Sequence, residues 1–372
     1  MLVAKLIPPY TREQKRAAIL KIIHDFNQEG MTAVKNPGIE EGEWDLYREL
    51  LERDELTVRI FALWPGGRTV ESAQGVIHEL SALPRPPASL GDGRLLAGGV
   101  KLFMDGSGGA RTAWMYQEWN KERIGIDSGN YGYPNIDPQV YRQMVRLIHD
   151  ADLHVSTHAI GDRAIDWVVD TYATVLEETP TKALRHGIIH CNTPTDHAMD
   201  VMARLQSEYD AAYPEAQAEF MWWIGDNYAG NLGPQRSLRL IPLHTFENRK
   251  IRWTGGSDYY VTPFPARYGI WASIARTTLK GTYGAQPFGT AEAVDVHAAL
   301  RSYTSWAARQ LFLENRIGSI EPGKEADLAV WDRDLYSIPV NDIPNLKCEM
   351  TLFRGHVVYD ASHTVVHTAA DR

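Results

Sequence analysis

Four polar side chains stand within or directly after separate predicted strands: Lys101, His158, His190 and Asp258. Lys101 is enclosed by an apolar run, and a lysine there is costly unless its charge is paired, lost or chemically changed. The two histidines each end an extended run. Asp258 follows a further extended run, after two glycines and a serine. Four ionisable groups at strand ends predict one shared site if the strands form a barrel.

Two imidazoles, a carboxylate and a lysine form a set of metal ligands if the lysine is carboxylated, because carbon dioxide turns the amine into an anionic carbamate. Zinc takes nitrogen and oxygen ligands and leaves a position for water. The pKa of bound water falls from 15.7 to about 7, which makes a nucleophile at neutral pH. Asp258 could accept the water proton and pass it to a leaving amine.

Each of these residues also has a purely structural interpretation. A buried histidine is more often a hydrogen-bonded core residue, and a lysine in a strand is more often an ion-pair partner. Asp258 could equally be a turn or helix-capping residue. Two further histidines, His154 and His186, each lie four residues before a candidate ligand. We interpret both as deeper residues, and we expect His149, on a predicted helix, at the surface.

The elements that would position these residues alternate between strand and helix, which predicts an α/β protein with parallel strands. Seven β/α units fit between residues 32 and 312, with one strand assigned to 217–223 and a helix to 291–312. Seven is one short of a TIM-type (β/α)8 barrel, so the helix at 12–28 has no preceding partner strand. After residue 313 the pattern turns to strands alone. We therefore divide the chain into an incomplete barrel, 1–313, and a small C-terminal β-subdomain, 314–372.

Composition narrows the functional class. The net charge of −9 argues against nucleic acid or an anionic membrane as a partner. No apolar stretch approaches the roughly 18 residues of a membrane span. Two cysteines exclude a four-cysteine zinc site and fit a reducing compartment, so we expect a cytoplasmic protein that acts on a small molecule.

Several segments, in this order, resemble the amidohydrolase superfamily. They are VKLFMDGSGGARTA (100–113), HAIGDRAIDWVVD (158–170), RHGIIHC (185–191), GGSDYYVTP (255–263) and IGSIEPGKEADLAVWDRDLY (317–336). Within it they are similar to the metal-dependent branch that includes N-substituted formamide deformylase-like proteins. The opening at 7–38 is also similar, so the resemblance extends over nearly the whole chain.

The resemblance implies a (β/α)8 barrel with a small β-domain. It matches Lys101 to a carboxylated lysine, His158 and His190 to two further metal ligands, and Asp258 to an aspartate that binds metal and carries protons. It also implies that Asp105 and Arg111, in the loop after the lysine strand, face substrate. Aromatic residues near predicted strand ends, among them Trp223 and Tyr259, would contact an apolar substituent, although core packing explains them equally well.

The sequence departs from the family in its metal ligands. The family places a His-x-His pair on its first strand, whereas no two histidines here are two residues apart. The resemblance therefore implies that the part before the first helix is missing and that one divalent metal, zinc by preference, is bound instead of two. The open barrel edge could also support a homo-oligomer.

The sequence thus predicts a hydrolase of non-peptide carbon–nitrogen bonds in an amide or N-substituted formamide, acting by attack of metal-bound hydroxide. The alternative is a truncated, catalytically inactive barrel that binds a small molecule or a partner chain.

Overall fold

The computed structural model describes residues 8–83, 88–120, 129–282 and 287–363. The strands are β1 Ala33–Asn36, β2 Arg59–Pro65, β3 Ala88–Leu90, β4 Leu95–Phe103, β5 His154–Ala159, β6 Gly187–His190, β7 Tyr213–Ala216, β8 Thr254–Gly255, β9 Leu328–Trp331, β10 Cys348–Phe353 and β11 His356–Asp360.

Twelve α-helices accompany these strands within the described ranges. They are α1 Arg12–Gln28, α2 Glu43–Glu52, α3 Val70–Ser81, α4 Pro138–Asp150, α5 Asp162–Glu178, α6 Asp196–Tyr209, α7 Glu219–Trp223, α8 Gly225–Leu232, α9 Leu243–Asn248, α10 Ala266–Ala275, α11 Val296–Ser302 and α12 Ser305–Gln310. Short 3-10 turns cover Arg236–Arg239, Thr290–Glu292, Val340–Asn345 and Ala361–His363. None of the helices in the described ranges is long and apolar enough to cross a membrane.

Seven parallel strands form a curled half-barrel in the order β1-β2-β4-β5-β6-β7-β8, and β3 pairs antiparallel with β4. This confirms the predicted seven β/α units. The central strands are buried on both faces, as parallel sheets covered by helices are. Across the described residues no strand joins β1 to β8, so the barrel is open there.

A cavity of about 700 Å³ lies at this opening. Helix α1 and strand β1 line one side of it, and the segment from Thr254 to Tyr259 lines the other. Lys35, Glu215 and Gln217 reach it from the barrel interior. The opening between the two edge strands therefore leads toward the middle of the barrel.

A three-stranded antiparallel sheet, β11-β10-β9, completes the fold and confirms the predicted C-terminal β-subdomain. It packs on α1, where the Thr351 hydroxyl donates to the Asn27 carbonyl at 2.6 Å. The division at residue 313 itself stays a prediction.

Two predicted elements are wrong in place or extent. The strand assigned to 217–223 lies earlier, at Tyr213–Ala216, and the apolar run that suggested it forms helix α7. A short apolar run does not distinguish a buried strand from a buried helix. The true strand is hard to recognise because it contains Pro214 and Glu215, residue types that are uncommon in strands. The long helix assigned to 291–312 is two short helices, α11 and α12.

Arg59, on β2, links the half-barrel to the C-terminal segment through buried ion pairs. Its guanidinium is fully buried and donates to both carboxylate oxygens of Asp327, at 2.8 and 3.0 Å, and to Glu325 at 2.7 Å. A further bond reaches the Gly93 carbonyl at 3.1 Å. The charge of Arg59 is thus compensated entirely by groups that the fold brings together.

We expect Arg59→Ala to lower the free energy of unfolding by about 3–5 kcal/mol, because it leaves the buried carboxylate of Asp327 without its partner. Urea titration followed by circular dichroism measures the change. As the control, Arg12→Ala removes an arginine from an exposed pair with Glu49 and should cost less than about 1 kcal/mol. Equal effects of the two changes would contradict this role for Arg59.

Candidate metal centre at the strand ends

Lys101 is buried in β4, close to the carboxyl end of the strand. The parallel register sets it opposite Ser156 and sets Phe103 opposite His158. Its nitrogen lies 4.5 Å from the centre of the Phe103 ring. Burial lowers the pKa of Lys101 to about 7, although the charges of Glu215 and Asp258 oppose this shift. A large share of the amine is therefore neutral and nucleophilic at neutral pH.

His158 and His190 meet at the ends of β5 and β6, with ring centroids 4.4 Å apart. The His158 Nε2 lies 2.8 Å from the Gly106 carbonyl oxygen and must donate to it, since a carbonyl only accepts. The His190 Nδ1 likewise donates to Gln217 Oε1 at 2.9 Å. Each ring is left with one lone pair, on Nδ1 of His158 and on Nε2 of His190.

Both imidazoles are held neutral. Burial lowers the pKa of His158 to about 3, and the nearby Lys101 charge lowers it further. Burial also holds the pKa of His190 well below its usual value, with added repulsion from His158 and Lys101. Neutral imidazole is the form that binds a metal ion.

Asp258 lies just beyond β8, with a backbone φ of +53°. The residue is exposed at the cavity, although partial enclosure of its carboxyl raises its pKa and Lys101 opposes that rise. His190 also has a positive φ, +78°. Such backbone conformations are uncommon outside glycine and concentrate at functional sites.

Asp105 is fully buried at the end of the lysine strand. Its carboxylate accepts the backbone N–H groups of Trp114 at 3.0 Å, Ile160 at 3.0 Å and Gly161 at 2.8 Å. It also lies 3.4 Å from His158 Nε2. In this arrangement Asp105 joins the loop after β4 to the start of α5, and its predicted contact with substrate stays a prediction.

The other three predicted substrate residues are spread around the same end of the barrel. Arg111 is buried and donates to the Asn120 carbonyl at 3.1 Å. Trp223 is exposed at the end of α7, and Tyr259 is exposed beside the cavity with its ring against Phe264. Their contact with substrate is likewise untested.

Sequence reasoning missed a buried ion pair inside the barrel. The Lys35 ammonium donates to Glu215 at 2.7 Å and to the Ser156 hydroxyl at 2.7 Å, and it lies 3.4 Å from His154 Nε2. The available signal was a lysine in a short extended run, the same signal that selected Lys101. The cluster confirms that His154 lies deeper than His158, since it is fully buried.

His186 is also buried as predicted, but the surface position expected for His149 is wrong. His149 is 1% exposed, its Nδ1 lies 3.1 Å from His186 Nε2, and its Nε2 lies 2.8 Å from the Thr179 carbonyl. The hydrophobic face of helix α4 includes this histidine because both ring nitrogens find partners.

The donor set fits one metal ion only if Lys101 contributes. Within the described ranges, no group of three His, Cys, Asp or Glu side chains is placed to hold a metal. Two imidazole lone pairs are available, and the neutral amine of Lys101 can become an anionic carbamate. His158, His190 and carboxylated Lys101 would then supply three ligands, while a ligand role for Asp258 stays a prediction.

Gln217 should matter for metal binding because it fixes the His190 ring. We expect Gln217→Leu to weaken zinc binding by about 10- to 100-fold, since His190 would lose the partner that holds its tautomer and orientation. Competition with a chelator measures the affinity. Gln74→Leu, at an exposed position on α3, is the matched control and should leave it unchanged. Equal zinc affinity in both variants would contradict this role for Gln217.

Comparison with known proteins shows the family and the fold of the chain. The model of the amidohydrolase family matches residues 1–359. A protein named amidohydrolase YtcJ, from Bacillus subtilis (strain 168), is 27% identical over 71% of this chain and 47% of its own length. The N-substituted formamide deformylase of Arthrobacter pascens is 27% identical over 56% of this chain and 37% of its own. The chain thus spans less than half the length of these relatives.

Solved structures show the same fold. The crystal structure of an uncharacterized metal-dependent hydrolase from Pyrococcus horikoshii OT3 superposes with a TM-score of 0.73 at 23% identity. The match covers 89% of this chain and 62% of that one. A related hydrolase structure from Pyrococcus furiosus gives a TM-score of 0.72 at 21% identity.

Proposed function

Because the chain belongs to the amidohydrolase family, we propose that it is a metal-dependent hydrolase that cleaves a non-peptide carbon–nitrogen bond in an amide or N-substituted formamide. The observation that carries the proposal is the meeting of Lys101, His158 and His190 at the ends of three neighbouring strands. The name of the formamide deformylase relative supports the substrate class.

Lys101 is first prepared by carboxylation. The neutral amine attacks carbon dioxide, a nitrogen–carbon bond forms, and one proton leaves to solvent. The product is an anionic carbamate beside the neutral rings of His158 and His190. A divalent metal, zinc by preference, supplies Lewis-acid activation of water and of the substrate carbonyl when it is bound there.

Asp258 carries the proton. Its carboxylate accepts a proton from the attacking water and delivers it to the nitrogen that leaves, as general acid–base catalysis requires. The bond between carbonyl carbon and water oxygen forms, and the carbon–nitrogen bond breaks. The products are a carboxylic acid, formic acid in the formamide case, and a free amine.

A screen of hydrolysis tests this function. Protein loaded with zinc in bicarbonate buffer is given simple amides and N-substituted formamides, and amine release is measured. Turnover that disappears on chelation and returns with zinc is the expected result. Stoichiometric binding without turnover at any added metal would contradict it and would favour a binding protein built on the same barrel.

A further inference from the structure

A second carboxyl group lies behind the Asp258 loop, at Glu219, the first residue of α7. The side chain is completely buried. It lies two residues after Gln217, which holds His190, and opposite the loop that carries Asp258. Buried carboxyl groups need their hydrogen bonds satisfied, so the neighbours of each oxygen indicate which state of the group the site requires.

The neighbour of one oxygen, Oε2, is the hydroxyl of Thr262 at 3.1 Å. The same hydroxyl makes a short contact with the Ser257 carbonyl oxygen and lies 3.5 Å from the Pro263 carbonyl. A carbonyl oxygen only accepts, so the single hydroxyl proton goes to Ser257. The contact between Thr262 and Glu219 then needs a proton from the carboxyl group.

The other oxygen, Oε1, has no hydrogen-bond partner among the described residues, and the same holds for the phenol oxygen of Tyr303. Both atoms crowd the position where Gly269 lacks a side chain. A Cβ built there would lie 2.8 Å from Oε1 and 1.7 Å from the phenol oxygen. Oε2 therefore faces a group that must accept, whereas Oε1 lies in the crowded space beside Gly269.

A carboxyl oxygen that must donate its own proton belongs to a neutral carboxylic acid. We propose that Glu219 is a protonated positioning residue that donates to Thr262 and thereby fixes the loop carrying Asp258. Tyr303 supports the other end of this loop, since a Cβ on Gly255 would lie 2.2 Å from its ring. The importance for turnover rests on the proposed role of Asp258.

Burial, which raises the pKa of Glu219 well above its usual value, agrees with this assignment. This arrangement predicts which side chain can replace Glu219. Glutamine places an amide N–H where the acid has its proton and keeps a carbonyl oxygen at the position of Oε1. Glutamine should therefore replace this acid, whereas it would not replace an ionised carboxylate.

The test compares Glu219→Gln, Glu219→Ala and Thr262→Val. We expect Glu219→Gln to keep wild-type kcat, and the other two to lose about 10- to 100-fold in kcat with little change in KM or metal content, because the loop shifts. Amide hydrogen exchange in residues 256–262 should be unchanged in Glu219→Gln and faster in the other two. Thr262→Ser, which keeps the hydroxyl, should restore both readouts.

Infrared spectroscopy tests the protonation of Glu219 without relying on turnover. The wild type should show the carbonyl stretch of a protonated acid, and Glu219→Gln should lose that band. Absence of the band, or a kcat and loop exchange as impaired in Glu219→Gln as in Glu219→Ala, would overturn the proposal. A wild type that turns over no amide, yet shows the band and the predicted exchange, would overturn the proposed function alone.

Discussion

Replacing Lys101 by alanine should remove both bound zinc and hydrolysis, with turnover reduced at least about a thousand-fold. The two histidine lone pairs would then remain without a third ligand, because no other described group of His, Cys, Asp or Glu completes the set. Zinc content and amine release, measured on the same preparation, test both parts of this result.

Two comparisons make the result specific to the chemistry of Lys101. Lys182→Ala removes an exposed lysine outside the cavity and should change neither metal content nor turnover. Acetate or propionate added to Lys101→Ala should restore part of the activity, because a small carboxylate can occupy the space of the lost carbamate. Wild-type turnover in Lys101→Ala would contradict the account.

Asp258→Asn should lower kcat by about 10²- to 10⁴-fold, the range for loss of a general acid–base group. An amide cannot accept the water proton, although its size and position are nearly those of the acid. Because Lys101, His158 and His190 are the three proposed ligands, we expect zinc content to be retained. Steady-state kinetics and elemental analysis measure the two quantities.

Asp200→Asn, at an exposed position of α6, is the control for the Asp258 change and should keep full activity. Unchanged kcat in Asp258→Asn would exclude Asp258 as the proton carrier. Loss of zinc together with activity would instead assign Asp258 to metal binding, as the family resemblance implies.

The proximity of the candidate ligands could be predicted from sequence because polar residues at strand ends are conspicuous against apolar runs. Lys101, His158 and His190 each interrupt or end such a run, and the parallel sheet brings them together. The same regularity gave the number of β/α units. Residues at strand ends can thus be recognised from the local sequence pattern, and the parallel sheet places them at one end of the barrel.

Other features depend on contacts between distant segments and leave no local signal. Strand β7 contains Pro214 and Glu215, and Glu215 is acceptable in the barrel only because Lys35, far away in the chain, pairs with it. His149 is buried because His186 and a backbone carbonyl accommodate its ring. The protonation pattern of the two candidate metal ligands likewise depends on partners in other segments, Gly106 and Gln217.

The chain covers only part of its relatives but retains the candidate metal ligands. The chain covers 62% of the Pyrococcus horikoshii structure and 47% of the Bacillus subtilis relative, yet it contains the three strand ends that carry Lys101, His158 and His190. Gln217, which holds His190, and Asp258 line the cavity at the opening between β1 and β8. Whether three ligands suffice to hold a metal is therefore the central question.

Metal content per chain answers it most directly. Protein purified with zinc and bicarbonate should hold about one tightly bound zinc ion. That ion should be lost from Lys101→Ala and from His190→Ala, and it should be reduced when the wild type is prepared without carbon dioxide. Wild-type protein that binds no metal, or both variants retaining it, would contradict a metal centre built on Lys101, His158 and His190.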